Sequence, residues 1–182
     1  MAAWPGARAT DGGIDNIPLH DLPYYAGAGE LWLAGKHAVG ADPVAAMQRV
    51  GITTIVCLTE RHELSERYPD YVSWLDQKDN KAAIWHPIPD LHAPSIGDAQ
   101  RLCADLMQRL AKGERLLIHC AAGFGRTGTL AACLLITLGA TESDALALIA
   151  HRRPMAGPEV GAQRNLVRTF AERALSSGGL AP

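Results

Sequence analysis

Apolar residues along this chain follow two periods, and the periods alternate. Compact apolar or β-branched runs bounded by turn residues predict strands, and apolar positions three and four apart predict helices. Glu30 to Ala34 is the first strand-like run, ending at Gly35. Asp42-Pro43 then opens a helix, with Asp as cap and Pro at the first helical position, where its missing N–H is not needed. Gly51 closes that helix, and Ile52 to Leu58 predicts a buried strand. Residues 60–78 read as mostly helix and turn, and Ala83 to Ile88 as a strand stopped by Pro89. Ser95 caps a longer helix with Ala99, Leu102, Cys103, Leu106 and Leu110 on one stripe and Gly113 at its end. Arg115 to Cys120 carries Leu116, Leu117 and Ile118 in succession, as a central strand covered on both faces requires. From about Arg126 to Leu138 the pattern is apolar nearly all round, which predicts a helix buried inside the domain. Two further helices are expected, over about Thr141 to Arg152 and Glu159 to Leu175.

Strands alternating with helices argue for an α/β fold: a central, mostly parallel sheet flanked by helices. A chain of 182 residues fits one domain, placed at 14–175 between flexible tails at 1–13 and 176–182. With 48% hydrophobic and 20% charged residues it can bury a real core. A net charge of −2 argues against nucleic acid as the partner. No apolar run approaches the ~18 residues of a membrane span, and the N-terminus has no apolar core of a secretory signal. Four cysteines without a C-x-x-C pair read as reduced thiols in a cytoplasmic protein.

The chemistry concentrates in His119-Cys-Ala-Ala-Gly-Phe-Gly-Arg-Thr-Gly128, where the central strand hands over to the buried helix. Ligands of open α/β sheets bind beyond the C-terminal ends of strands. Gly123, Gly125 and Gly128 permit a tight loop whose successive N–H groups form an anion nest at the positive end of a helix. Cys120 opens that loop, where donors and dipole favour the nucleophilic thiolate. Arg126 stands in the first turn of the helix, an unfavourable place for a cation unless it faces a bound dianion. Together these residues describe a phosphate cradle with a nucleophile at its floor. Cys103 and Cys133 read as small core residues, and the His119 ring as a brace pointing into the domain.

Cys120 and Arg126 form a C-x5-R signature, and here the chain resembles the protein tyrosine phosphatase superfamily. The Gly-x-Gly-Arg-Thr-Gly form is similar to the small dual-specificity phosphatases, including the CDK-associated phosphatase subgroup. Cys57-Leu-Thr-Glu-Arg-His-Glu-Leu64 and Trp85-His-Pro-Ile-Pro-Asp90 extend the likeness, which covers about residues 30–175. The resemblance implies a sheet of four to five strands and hydrolysis of a phosphomonoester through a phosphocysteine on Cys120. Arg126 and the loop N–H groups of Ala121, Ala122, Gly123, Phe124, Gly125 and Arg126 would hold the phosphate oxygens. Thr127 would donate to the sulfur, Asp90 would protonate the leaving oxygen, and Gln163 would orient the hydrolytic water. Glu159 is the better rival to Asp90, and Asp98 the weaker one. Glu60-Arg61, after the Ile52 to Leu58 strand, reads as a solvated charge pair, with a place on the rim of the cleft as the alternative.

No metal or cofactor is implied. Substrates are expected to be phosphorylated proteins or small phosphomonoesters, since the loop interior carries no Lys or His of the kind that suits highly charged phosphoinositides; a monomer is expected. Two alternatives stay open: a catalytically weak phosphoprotein-binding module on the same fold, and a rhodanese-type sulfurtransferase. Cys57 is the candidate to resolve an oxidised Cys120 as a disulfide, although an offset of one residue along a strand would put it on the wrong face.

Overall fold

The computed structural model describes residues 10, 11 and 13–176. Six strands form one sheet: β1 (Thr10–Asp11), β2 (Ile14–Ile17), β3 (Glu30–Gly35), β4 (Thr54–Cys57), β5 (Ala83–Trp85) and β6 (Arg115–Cys120). Their order is β1-β2-β3-β6-β4-β5. The four strands β3, β6, β4 and β5 are parallel, and β2 and β1 add on antiparallel at one edge. Among the described residues seven α-helices follow the pattern read from the sequence: α1 (Pro43–Val50), α2 (Arg61–Ser65), α3 (Pro69–Leu75), α4 (Ile96–Ala111), α5 (Gly125–Leu138), α6 (Glu142–Arg152) and α7 (Gly161–Ser176).

The edge hairpin differs from the sequence reading. Ile14-Asp-Asn-Ile17 is too short to show a period, yet Ile14 and Ile17 are fully buried and the strand pairs with Leu31 to Leu33. Thr10 and Asp11 pair with Asp15 and Ile14, so part of the segment expected to be a tail belongs to the sheet. Residues 1–9 and 12 of that segment, and 177–182, lie outside the described residues, while Ser176 ends α7. β5 stops at Trp85 rather than Ile88 because Pro87 and Pro89 have no N–H for the ladder. His86 and Ile88 still donate to the carbonyls of Cys57 and Leu58, so the chain runs on beside β4 towards the loop that carries Asp90.

Alternation along the strands builds two cores. Leu31, Leu33, Val56, Leu116, Ile118 and Cys120 face α4, α5, α6 and α7. Ala34, Ile55, Cys57 and Leu117 face the layer of α1 and α3. α5 lies buried from Gly125 through Ile136, as its all-round apolar pattern demands. Each fully buried Leu or Ile there contributes about 1.5–3 kcal/mol, so the helix that follows Cys120 is fixed firmly. Central strand and buried helix together set the loop between them.

Candidate active site

Cys120 ends β6 and is 3% exposed. From it the chain turns through residues 121–124 into α5. Every carbonyl of that turn is pinned. Ala121 O accepts from Lys36 N at 2.9 Å, and Phe124 O accepts from Gly128 N at 2.8 Å and Gly157 N at 3.3 Å. Ala122 O and Gly123 O accept from the Arg153 guanidinium at 2.9 and 2.7 Å. A trans peptide points its N–H opposite to its C=O. Pinning these carbonyls therefore turns the N–H groups of Ala122, Gly123, Phe124 and Gly125 to the other side of the loop. Among the described residues, no protein group accepts from the N–H groups of Ala121 through Arg126. That is a nest of unpaired donors at the start of a buried helix, the arrangement that binds a phosphate. Gly123 adopts φ +78°, and a Cβ there would strike the Ala34 carbonyl, so only glycine fits.

Arg126 is buried, its side chain 2% exposed, and its fork is fixed on one side. Nη1 and Nη2 each donate to Glu63 at 2.8 Å, and Nη1 also donates to Ile88 O at 2.8 Å. Glu63 lies in α2 and also accepts from Glu60 N at 2.9 Å, closing a capping box with Glu60. Burial alone would raise the Glu63 carboxyl, but Arg126 and the Glu60 amide outweigh it and hold it below the ordinary range. Burial likewise works against the Arg126 charge, and Glu63, Cys120 and Asp90 more than compensate, keeping the guanidinium ionised. Sequence reading missed Glu63. Its local signal was the Glu60-x-x-Glu63 box, which the emphasis on Glu60-Arg61 passed over. Arg61 instead packs over the Trp85 ring and pairs with Asp76 at 2.8 Å, at a partly exposed edge.

Asp90 lies beside Arg126. Its Oδ1 is 3.2 Å from Arg126 Nη2, and its side chain is 68% exposed. Leu91 follows with φ +59°, and His92 Nδ1 hydrogen-bonds the Asp90 carbonyl at 2.7 Å, shaping the turn. Asp98 is committed to the Ser95 cap and to Arg101. Glu159 lies against Gly125, and among the described residues the carboxylates that pair with Arg126 are Glu63 and Asp90.

The remaining residues frame the loop. His119 is fully buried, its Nε2 2.6 Å from the Tyr71 hydroxyl and its Nδ1 3.2 Å from the Cys120 carbonyl. Burial, with a smaller push from Arg126, lowers its pKa to about 4, so it is a neutral brace. Thr127 is fully buried and its hydroxyl has no partner among the described residues. Gln163 is also fully buried, with Oε1 accepting from Glu159 N at 2.8 Å and Nε2 donating to His92 O at 3.1 Å. Both ends of that amide are thus occupied, linking the start of α7 to the loop that carries Asp90.

The expected Cys57–Cys120 disulfide does not fit. Cys57 stands opposite His119 in the register, so the two sulfurs project to opposite faces of the sheet. All four thiols are free and buried. Burial pushes Cys57 up to about 11 and Cys103 up to about 12, and raises Cys133 further. These three stay protonated at neutral pH, so limiting peroxide or iodoacetamide should modify Cys120 first. Peptide mapping that found Cys103 or Cys133 modified earlier would contradict the site.

A cysteine at the foot of an amide nest, with a carboxylate-anchored arginine closing C-x5-R, is the arrangement that marks the class of cysteine-based phosphatase domains. The chain belongs to the family described as Swiss Army Knife protein, DSP-PTPase phosphatase domain, whose model matches residues 33–178. It is similar to cyclin-dependent kinase inhibitor 3 of Rattus norvegicus, 35% identical over 99 residues, or 54% of this chain and 46% of that protein. The Homo sapiens form is 34% identical over 103 residues, 56% and 48% of the two chains. The matched part of the chain thus spans about half the length of these curated relatives. Among solved structures it is similar to kinase associated phosphatase carrying serine for its catalytic cysteine. That match has a TM-score of 0.74 and 24% identity over 92% of this chain and 98% of the other, which shows the shared fold. It is also similar to Tk-PTP in the active form, with a TM-score of 0.62 and 26% identity over 81% and 94% of the chains. The sulfurtransferase alternative falls with the family match.

Proposed function

We propose that the chain hydrolyses phosphomonoesters of proteins in two steps through a phosphocysteine on Cys120. The observation that carries this reading is the loop of pinned carbonyls, which leaves a row of N–H donors between Cys120 and the anchored Arg126. In the first step the Cys120 thiolate attacks phosphorus and the S–P bond forms as the P–O bond to the leaving group breaks. The equatorial oxygens rest on the loop N–H groups of residues 121–126 and on Arg126. Glu63 and Ile88 occupy three of the five guanidinium donors. Nε and the Nη2 hydrogen that now faces Asp90 remain for the phosphate. Bound phosphate thus takes the place of Asp90 on Arg126, and Asp90 turns its carboxyl to the leaving oxygen as general acid. In the second step water displaces sulfur and gives its proton to the Asp90 carboxylate left by the first step, and the Thr127 hydroxyl, unpaired among the described residues, supplies a hydrogen bond to the departing thiolate. Gln163 positions the acid loop against α7, and its amide orients the attacking water once released from His92.

Positive charge at the site comes from Arg126 and backbone amides, so the mechanism needs no metal. Loop residues Ala121, Ala122 and Phe124 carry no cation, which favours a phosphoprotein over a polyphosphorylated lipid headgroup. No described helix is long and apolar enough to cross a membrane. Four free thiols suit a reducing, cytoplasmic setting, and the protein is taken to act as a monomer.

The test of this reading is turnover of an aryl phosphate in the presence of a chelator, followed by phosphotyrosine, phosphoserine and phosphoinositide substrates. Absence of any turnover would refute it. Asp90→Asn adds the sharper check. It should slow an alkyl phosphate by about 10²-fold, the lower range for a general acid, and an aryl phosphate with an acidic leaving group far less. Equal slowing of both would move the acid role to Glu159 or leave Asp90 with a structural role.

A further inference from the structure

The back of the loop is held by a residue that the reaction itself does not use. Arg153 directly follows α6. Its Nε donates to Gly123 O at 2.7 Å and its Nη2 to Ala122 O at 2.9 Å. Its Nη1 donates to Asp15 Oδ2 at 2.6 Å and to Gly13 O at 3.1 Å. The guanidinium lies over the Phe124 ring, 5.4 Å from its centre. Asp15 and Arg153 are each only 11% exposed in their side chains, so solvent screens the pair weakly. One planar group therefore joins the loop to β2.

The geometry has a direct consequence for the donors. The carbonyls of Ala122 and Gly123 set the directions of the Gly123 and Phe124 N–H groups. The other pinned carbonyls, of Ala121 and Phe124, are held by backbone amides of the fold itself. Only these two depend on a side chain. That side chain in turn depends on Asp15, since a rigid fork held by a carboxylate on one edge presents its other edge in one orientation. Without Asp15, Arg153 would be a largely buried cation with no carboxylate partner, its Nη1 left with only the Gly13 carbonyl to keep the fork aimed at the loop. Asp15 also neutralises Arg153, so the cation braces the loop without competing for the phosphate. The family model begins at residue 33, so the β1–β2 hairpin lies wholly outside the matched region.

We propose that this N-terminal hairpin is a positioning element of the phosphate cradle, acting through Asp15 and Arg153. The inference rests on the phosphatase reading of the loop and extends it to a part of the chain that touches no reacting atom. Asp15 and Arg153 are positioning residues. Their removal should weaken oxyanion binding and the chemical step while leaving the nucleophile and the acid in place.

The experiment measures tungstate binding by calorimetry, aryl phosphate kinetics and thermal melting for four variants of the full chain. Asp15→Asn removes the anchor. Arg153→Lys keeps a charge for Asp15 but cannot span two carbonyls. Asp15→Glu restores the carboxylate. Asn16→Ala is the control: it removes a 3.3 Å bond from Asn16 Nδ2 to Leu31 O in the same strand without touching Arg153. Asp15→Asn and Arg153→Lys should each bind tungstate about tenfold more weakly, the scale of one charge-assisted hydrogen bond, with kcat reduced as well. Asp15→Glu should recover most of that affinity. Asn16→Ala should lower the melting temperature yet keep tungstate affinity within about twofold of wild type, well under the loss of one hydrogen bond. Wild-type affinity in Asp15→Asn and Arg153→Lys would overturn the proposal. So would losses in Asn16→Ala as large as in Asp15→Asn, because the hairpin would then act through stability alone. If Asp15→Asn does not fold, Arg153→Lys decides. Failure of the phosphatase reading shows separately, as wild-type protein without turnover, and tungstate affinity still decides the role of the hairpin.

Discussion

Replacing Cys120 by serine should abolish turnover, by on the order of 10⁴-fold or more, as loss of an enzymic nucleophile does. A serine hydroxyl is not ionised where a thiol can be, so it presents no comparable nucleophile to phosphorus. The rest of the cradle is unaffected by the exchange of one atom. The carbonyls of Ala121 to Phe124 stay pinned, and Arg126 keeps Glu63 and Ile88. Tungstate or phosphate affinity should therefore survive in Cys120→Ser. This split between lost chemistry and retained binding is the expected result, read by calorimetry beside steady-state kinetics. Activity within tenfold of wild type would remove Cys120 as the nucleophile.

Arg126→Lys should be nearly as severe, lowering kcat/KM by about 10³-fold or more, the scale of losing a transition-state cation or donor. The reason lies in the anchor as much as in the phosphate. Arg126 spends one edge of its fork on both oxygens of Glu63, and that leaves the other edge aimed at the loop. Lysine carries a point charge and cannot satisfy the two oxygens and the substrate together. It would leave the Glu63 carboxylate, 14% exposed, short of one partner, and draw the ammonium away from the phosphate. The loss should appear in KM and in kcat, because the contact serves both the bound substrate and the transition state. Kinetics close to wild type would mean that Arg126 only fills the helix surface.

Local chemistry was legible in the sequence. Cys120, its glycines and Arg126 lie within nine residues, so the nest and the candidate nucleophile could be read together. The buried strand Arg115–Cys120 and the all-round apolar helix after it were equally clear, since each shows its environment in its own residues. Asp90 was pointed to by the family resemblance of its loop, and the structure sets it beside Arg126. His119 as a brace also matches its contact with Tyr71. What stayed hidden was long-range. Glu63 meets Arg126 across 63 residues, and Asp15 meets Arg153 across 138. No period or spacing marks such pairs, because the sheet order, not the local sequence, brings them together. The hairpin escaped notice for a related reason. Its burial comes from the edge of β3 and from α6, not from a pattern within Ile14–Ile17. The side of the sheet on which Cys57 projects was likewise a matter of register, and register is settled by the pairing Cys57 with His119.

The phosphocysteine itself is the most direct test. Wild-type protein turning over an aryl phosphate is quenched into denaturant during steady state, digested and mapped by mass spectrometry. One phosphoryl group on the peptide that carries Cys120, absent from Cys120→Ser, is the predicted result. Turnover with no phosphoryl group on Cys120, or with the group on another residue, would contradict the mechanism.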